Sequence, residues 1–314
     1  MISVNGKYNI PDRWEELSPE QFIAIVRVLD TMGAHPFQEM KIMLLEALLD
    51  GKLPLRPDDD TYCSNMYRLV EHITFPYQFV YTDERFRNFS PSMQRHLKKY
   101  PPMDLNEPQI RLAARMKRHI APDICFPAQL LPILPGSGLE GYTFSYTDGI
   151  AMTSLTAEQY IDANTILQEI HDTENTSLYP MLAQILYCPA PYASDKATRL
   201  RIRKIGKDVL LAVMFNYMAV VNWISALDKY DILFHAPKRS TDKNPLGSGA
   251  ALYALAEKGY GTLEQIGRLP LFQYLDLLLK QTVDAVRQLN GLKKTKPEIA
   301  KELNITIDQI NTII

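Results

Sequence analysis

The chain has 314 residues, 46% of them apolar and 22% charged, with a formal net charge of −2. Such a length and balance suit one large or two modest globular domains and exclude a disordered chain. A charge this near zero excludes a global pull towards nucleic acid or anionic lipid. Three cysteines, Cys63, Cys125 and Cys188, lack C-x-x-C spacing. They predict buried thiols in a reducing compartment, with no disulfide frame or zinc site. The first residues show no basic region followed by an apolar run, so no signal peptide is expected.

In chain order, Ile2, Val4, Tyr8 and Ile10 alternate about Asn5-Gly6, which accepts the positive φ angles of a tight turn; a short hairpin is predicted. Ser18-Pro19-Glu20-Gln21 then opens a helix over 19–32 with Phe22, Ile25, Val26 and Leu29 inward and Gly33 at its end. Ser18 can accept a bond from the Gln21 amide while the Gln21 side chain reaches back, a capping box. Proline suits the first turn, where its missing N–H would be unpaired anyway. A second apolar helix is predicted over 37–49, stopped by Gly51, and a Pro/Asp-rich loop over 54–60 leads to a third around 62–73.

Residues 76–135 differ in kind, because nine prolines cut them into short pieces. Between 85 and 118, nine Lys or Arg stand against two acids, Asp104 and Glu107. Within this stretch 109–120 predicts a short amphipathic helix with Ile110, Leu112, Ala113 and Met116 inward and the cations outward. Gly136, Gly138 and Gly141 mark a loop before a strand over 142–146.

Thr156-Ala157-Glu158-Gln159 writes the capping box again, 138 residues after the first. Helices over 157–171 and 178–187 follow, the latter stopped by Pro189, so the chain carries a duplicated helix-pair module. A basic run over 196–207 holds six cations and no acid. Residues 209–227 carry no charge, a composition that would also suit a membrane span. Asn216, Asn222 and Ser225 interrupt the run, and Asp208 and Asp228 close it. A buried central helix is therefore expected, in which any buried asparagine needs internal partners. A polar link over 238–244, a helix over 249–258, a turn from Thr262 and a long amphipathic helix over 271–290 precede a charged, short-helix tail.

The expected fold is mainly α: duplicated helix-pair modules with a short N-terminal β-hairpin and minor strands. The segments are 1–75 (hairpin and first module), 76–140 (proline-rich basic insert), 141–240 (second module and central helix), 241–290 (C-terminal helices) and 291–314 (tail).

Catalytic signatures are lacking. There is no phosphate loop, nucleophile elbow or dinucleotide fingerprint, and Gly247-Ser248-Gly249 has neither a preceding strand nor a third glycine. His171 lies among Glu169, Asp172 and Glu174, but i, i+2, i+3 spacing does not gather ligands on one helix face, so a solvated helix end is expected. Asp58-Asp59-Asp60 lacks a calcium-loop glycine and reads as turn chemistry. No catalytic residue, cofactor or metal is expected, and the chain reads as a non-enzyme.

Two basic segments remain, 85–118 and 196–207. The candidate partner-binding residues are Arg85, Arg87, Arg95, Arg111, Arg115, Arg118, Arg199, Arg201, Arg203 and Lys204. Arginine's planar fork suits carboxylate or phosphate, so an acidic protein surface and nucleic acid are both open as partners, against the plainer reading of two solvated faces. The tail over 295–310 scans like a helix–turn–helix pair. Its second helix offers Asp308, Gln309, Asn311 and Thr312 but no cation for phosphate, so a packing or assembly element is expected.

Ile10-Pro11-Asp12-Arg13-Trp14-Glu15-Glu16-Leu17-Ser18-Pro19-Glu20-Gln21-Phe22 resembles the opening of proteins encoded among the tail and virion genes of phages and prophages of Bacteroidetes bacteria. Residues 155–163 with 181–187, and 254–261 with Pro270-Leu271, look like further landmarks of that group. The resemblance implies a structural or tail-assembly protein, whether chaperone or virion component, that binds other phage proteins in the virion or the host cytoplasm. Homo-oligomers are compatible with it, no membrane is expected, and it carries over no catalytic residues. The basic insert is not explained by it. A nucleic-acid-binding or regulatory protein using the basic segments and the tail is the alternative.

Overall fold

The computed structural model describes residues 2–4, 8–49, 60–102, 106–200, 202, 205–234 and 249–314. The Asn5-Gly6 turn, the Gly51 stop, Asp58 and Asp59, the 238–244 link and Gly247-Ser248 lie outside them. The fold is mainly α with short strand pairs, and the chain divides into two compact units, Met1–Phe126 and Pro127–Ile314.

Unit 1 begins with antiparallel β1 (Ile2–Val4) and β2 (Tyr8–Ile10). Helices α1 (Pro19–Asp30), α2 (Phe37–Leu48) and α3 (Asp60–Val70) follow. Phe22, Ile25, Val26 and Leu29 are buried, as the spacing predicts. Ser18 Oγ accepts from the Gln21 amide and Gln21 Oε1 from the Ser18 amide, completing the capping box. Trp14 packs on Phe126 with ring centroids 4.8 Å apart and meets Phe22 and Phe75 edge-on. Beyond these, β3 (Tyr77–Tyr81), α4 (Pro91–Lys99), α5 (Pro108–Ala114) and β4 (Arg118–Pro122) form the proline-rich part. The helix expected over 109–120 ends at Ala114, and its last residues are strand. They pair antiparallel with β3, Ile120 opposite Phe79 and Arg118 opposite Tyr81, because cross-strand pairing outweighs a weak helical period. Leu112, expected inward, is 37% exposed.

Unit 2 opens with two small hairpins. They are β5 (Ile133–Leu134) with β6 (Leu139–Glu140), and β7 (Phe144–Thr147) with β8 (Ile150–Thr153). The second turns on Asp148-Gly149, both at positive φ, which favours glycine. Gly141 is needed for space: a Cβ there would meet the Tyr187 ring at 2.9 Å. Then come α6 (Ala157–Thr173), α7 (Tyr179–Leu186), α8 (Ser194–Arg199) and α9 (Lys207–Ser225). They are followed by α10 (Asp231–Phe234), α11 (Ala250–Glu257), α12 (Leu263–Gly267) and α13 (Leu271–Gly291). Last are α14 (Lys296–Leu303) and α15 (Ile307–Asn311).

Helix α9 supplies the core of unit 2, burying Leu210 to Tyr217 without a break, then Ala219, Val220 and Ile224. Among the described helices it alone is long and apolar enough to cross a membrane. Its buried Asn216 has three internal partners: Oδ1 accepts from the Leu130 and Leu131 amides at 2.8 and 3.3 Å, and Nδ2 donates to the Ala128 carbonyl at 2.7 Å. Asn222 is exposed.

In the second helix pair, whose helices have 17 and 8 residues against 12 and 12 in the first, the capping box is not closed. Thr156 Oγ1 caps α6 through the Gln159 amide, but the Gln159 side chain does not return to the cap. Its Nε2 instead donates to the Ile185 carbonyl at the end of α7, 2.8 Å away. The Thr156 region is held from outside by a bridge to Pro270. The cysteines also need correction: Cys188 is buried, Cys63 half-buried and Cys125 exposed. Cys125 lies between Asp123, which pairs with Lys99, and the buried Phe126, and is itself turned to the surface.

Candidate partner-binding surface

The basic insert folds on a small core of its own. Phe86, Phe89, Leu97, Ala113 and Met116 are buried together, with Tyr81 and Met93 packed against them. Phe86 stacks on Tyr81 at 4.2 Å and meets Phe89 edge-on. Prolines at the first turns of α4 and α5 start each helix abruptly, and Ser90 caps α4 through the Met93 amide. Apolar side chains converge on this core, so the residues between them face out, and those residues are the cations.

Two of the nine cations are used inside the fold. Lys99 is partly buried, pairs with Asp123 and donates to the carbonyls of Thr74, Phe75 and Tyr77, each at 3.3 Å. Arg85 forks onto Asp83, its Nε and Nη2 within 3.0 and 2.6 Å of the two carboxylate oxygens. Those bonds hold the Asp83 carboxyl down to about 2.

The other seven, Arg87, Arg95, Lys98, Arg111, Arg115, Lys117 and Arg118, are exposed. Among the described residues, no acid lies in ion-pair range of any of them. Glu107, the one described acid between 85 and 118, is exposed at the start of α5 and pairs with none. Arg118 is partly fixed, its guanidinium 6.0 Å from the Tyr81 ring centroid and Nη1 3.4 Å from the Ala114 carbonyl. Exposed Leu112 and Tyr100, 37% and 46% accessible, stand among these cations.

In the second basic segment two described cations have partners. Arg199, on α8, reaches Asp195 one turn earlier at 3.3 Å. Lys196 donates to the carbonyl of Pro189. Arg201, Arg203 and Lys204 lie outside the described residues.

The remaining candidates resolve simply. His171, Asp172 and Glu174 form an exposed helix end, which Glu174 closes at positive φ. No group of three or more His, Cys, Asp or Glu is gathered among the described residues. In the tail, Val286, Ile299, Ile305 and Ile310 make a core that ties α14 and α15 to α13. Gln309 is buried and donates to Asp231 at 2.8 Å, and Asn311 accepts from Lys296 at 2.8 Å. Of the side chains that a DNA-reading helix would present, Gln309, Asn311 and Thr312 are thus engaged within the fold, and Asp308 is exposed. The 85–118 composition does not reveal the β3–β4 pairing that frames the surface, nor the Asp83 partner, which lies two residues before that stretch. The alternation of Tyr77, Phe79 and Tyr81 was the available signal for the strand.

No protein-family model matches the chain, and neither a curated protein nor a solved structure does.

Proposed function

We propose that this chain is a non-enzymatic structural or assembly protein of a phage tail or virion, and that the cationic face of its proline-rich insert docks an acidic surface of another phage protein. The observation that carries the docking reading is the group of seven exposed cations, with no acid in range among the described residues, on a packed core of their own. Like charges held together repel, and a merely solvated face relieves this by interspersing acids. Partner carboxylates would offset the repulsion and, through arginine forks, fix orientation. Apolar Leu112 and Tyr100 among the cations favour a protein partner over a phosphate backbone, because protein interfaces combine apolar anchors with a polar rim. The internal use of Gln309 and Asn311 supports the same choice. The phage setting comes from the resemblance of the sequence around residues 10–22 and 155–163.

The test is particle assembly with Arg115→Glu and Arg118→Glu together. Mass spectrometry of purified particles, and of complexes pulled from infected cells, should show the reversed variant lost or strongly reduced. Undiminished incorporation would overturn the docking surface. A steep fall of duplex-DNA affinity with salt, at a slope near one unit per neutralised phosphate, would move the reading to nucleic acid.

A further inference from the structure

Helix α5 offers a particular shape within the cationic face. Leu112 is 37% exposed, with Arg111 beside it and Arg115 one turn on. Neither arginine has an ion pair or a side-chain hydrogen bond among the described residues. Positions four apart on a helix lie on one side, so the two guanidinium groups can flank the leucine. This is an apolar knob between two cations.

Unit 2 carries the converse shape. A groove of about 610 Å³ runs between α10, α13 and α15, with Leu279, Val283 and Ile313 in its lining and Asp228, Asp231 and Asp308 beside them. Asp228 and Asp308 are exposed and have no ion pair among the described residues. The one cation in the lining, Lys229, is drawn to Asp276 at 2.6 Å. An apolar lining with a carboxylate rim is complementary to a leucine flanked by arginines, in charge and in polarity together.

We infer that the acidic surface met by the α5 knob is this groove on a second copy of the chain. The inference rests on the docking role proposed above for the cationic face and names its partner. Repeated head to tail from copy to copy the contact builds a ring or an open filament, and exchanged reciprocally between two copies it closes a two-fold dimer.

Two charge-reversed variants of the full chain test this: Arg111→Glu with Arg115→Glu, and Asp228→Lys with Asp308→Lys. All four residues are exposed, and circular dichroism melting checks that each variant folds. Sedimentation velocity on the wild type should show association that grows with concentration and is weakened at least about tenfold by raising salt, as expected for charge-steered contacts. Each variant alone should remain monomeric. Their equimolar mixture should associate again, because a glutamate-flanked knob meets a lysine-rimmed groove and the native knob meets the native groove. A wild type that stays monomeric at low salt and high concentration, or a mixture that stays monomeric, would overturn the inference. If the wild type is monomeric while the Arg111/Arg115 variant still loses its place in phage particles, the docking role stands and only its assignment to a second copy falls.

Discussion

Gln21 and Gln159 hold equivalent places and make the same long-range bond. Gln21 Nε2 donates to the Leu48 carbonyl at 2.6 Å, 27 residues on, and Gln159 Nε2 to the Ile185 carbonyl at 2.8 Å, 26 residues on. Each glutamine is the third residue of its helix and latches the end of the next helix, so the duplicated pair is held shut by a shared device. The environments differ: Gln159 is buried and Gln21 half-buried. Gln159→Leu removes a buried bond, although the Ile185 carbonyl keeps the Cys188 amide at 3.3 Å, and should cost about 0.5–1.5 kcal/mol, whereas water can replace the bond lost in Gln21→Leu and reduce its cost. Thr156→Ala, which removes only the cap, should cost about 1 kcal/mol. Urea unfolding of the three variants gives the order, and equal costs for the two glutamines would contradict the burial argument.

Asn216 joins the central helix to the segment that opens unit 2. Asn216→Leu is close in size but strands the Leu130 amide and the Ala128 carbonyl, while the Leu131 amide keeps Gln129 Oε1, for a total expected loss of several kcal/mol, each unpaired buried group costing about 1–3 kcal/mol. Met214→Asp, on the same buried helix, should also cost several kcal/mol by burying an unpaired charge. Folding of either variant with an unchanged unfolding midpoint would mean that α9 is not the packed centre of unit 2.

The cationic face should behave oppositely. Arg111→Glu and Arg115→Glu remove no ion pair, so thermal stability should change by no more than about 1 kcal/mol, a bound drawn from exposed charges generally. Arg118→Glu should cost slightly more, because its contact with the Tyr81 ring is worth about 0.5–1 kcal/mol at an exposed site. Calorimetry of the single variants separates the two cases.

Acid should loosen the tail at one identifiable cap. The Thr295 backbone amide, then its hydroxyl, donates to Glu298 and holds that carboxyl below its ordinary value. A depressed folded pKa means that this stabilisation is complete above the ordinary glutamate value and is lost as the pH falls through the lower, folded one. Protection of the Thr295 amide against exchange, taken relative to its intrinsic rate at each pH, should therefore fall on acidification within that window. Glu298→Gln should remove the pH dependence while retaining a neutral cap, and an unaltered profile in that variant would show that another group is responsible.

Asp83 gives a second, sharper titration. Its carboxyl, held down to about 2 by Arg85, should return towards the ordinary aspartate range in Arg85→Ala, as read by carboxyl NMR chemical shift. A carboxyl that stays near its low value in the variant would mean that the fork to Arg85 is not formed in solution.

Local rules carried much of this fold. Helix starts at Ser18 and Thr156, the inward faces of α1 and α9, the stop before Pro189 and the pairing of β1 with β2 follow from capping chemistry, period and alternation that act over a few positions. The cations of 85–118 were visible for the same reason, as composition. Where local preference was weak, distant partners took over. Residues 118–122 became strand because β3 lay alongside, and the small core takes Ala113 of α5 and Met116 just after it and leaves Leu112 exposed.

The amino-acid order by itself determined the helical class, the repeated helix pair, the buried central helix and the presence of concentrated positive charge, since each depends on neighbours within a turn or two. Only the tertiary structure decided which polar groups were consumed and which left free. Gln159 abandoned its cap for Ile185, Lys99 turned in to Asp123 while Arg111 and Arg115 stayed open, and Gln309 was taken by Asp231. Those outcomes depend on pairings across tens of residues, where burial makes an unpaired donor costly and rewards whichever acceptor the packed chain brings within reach.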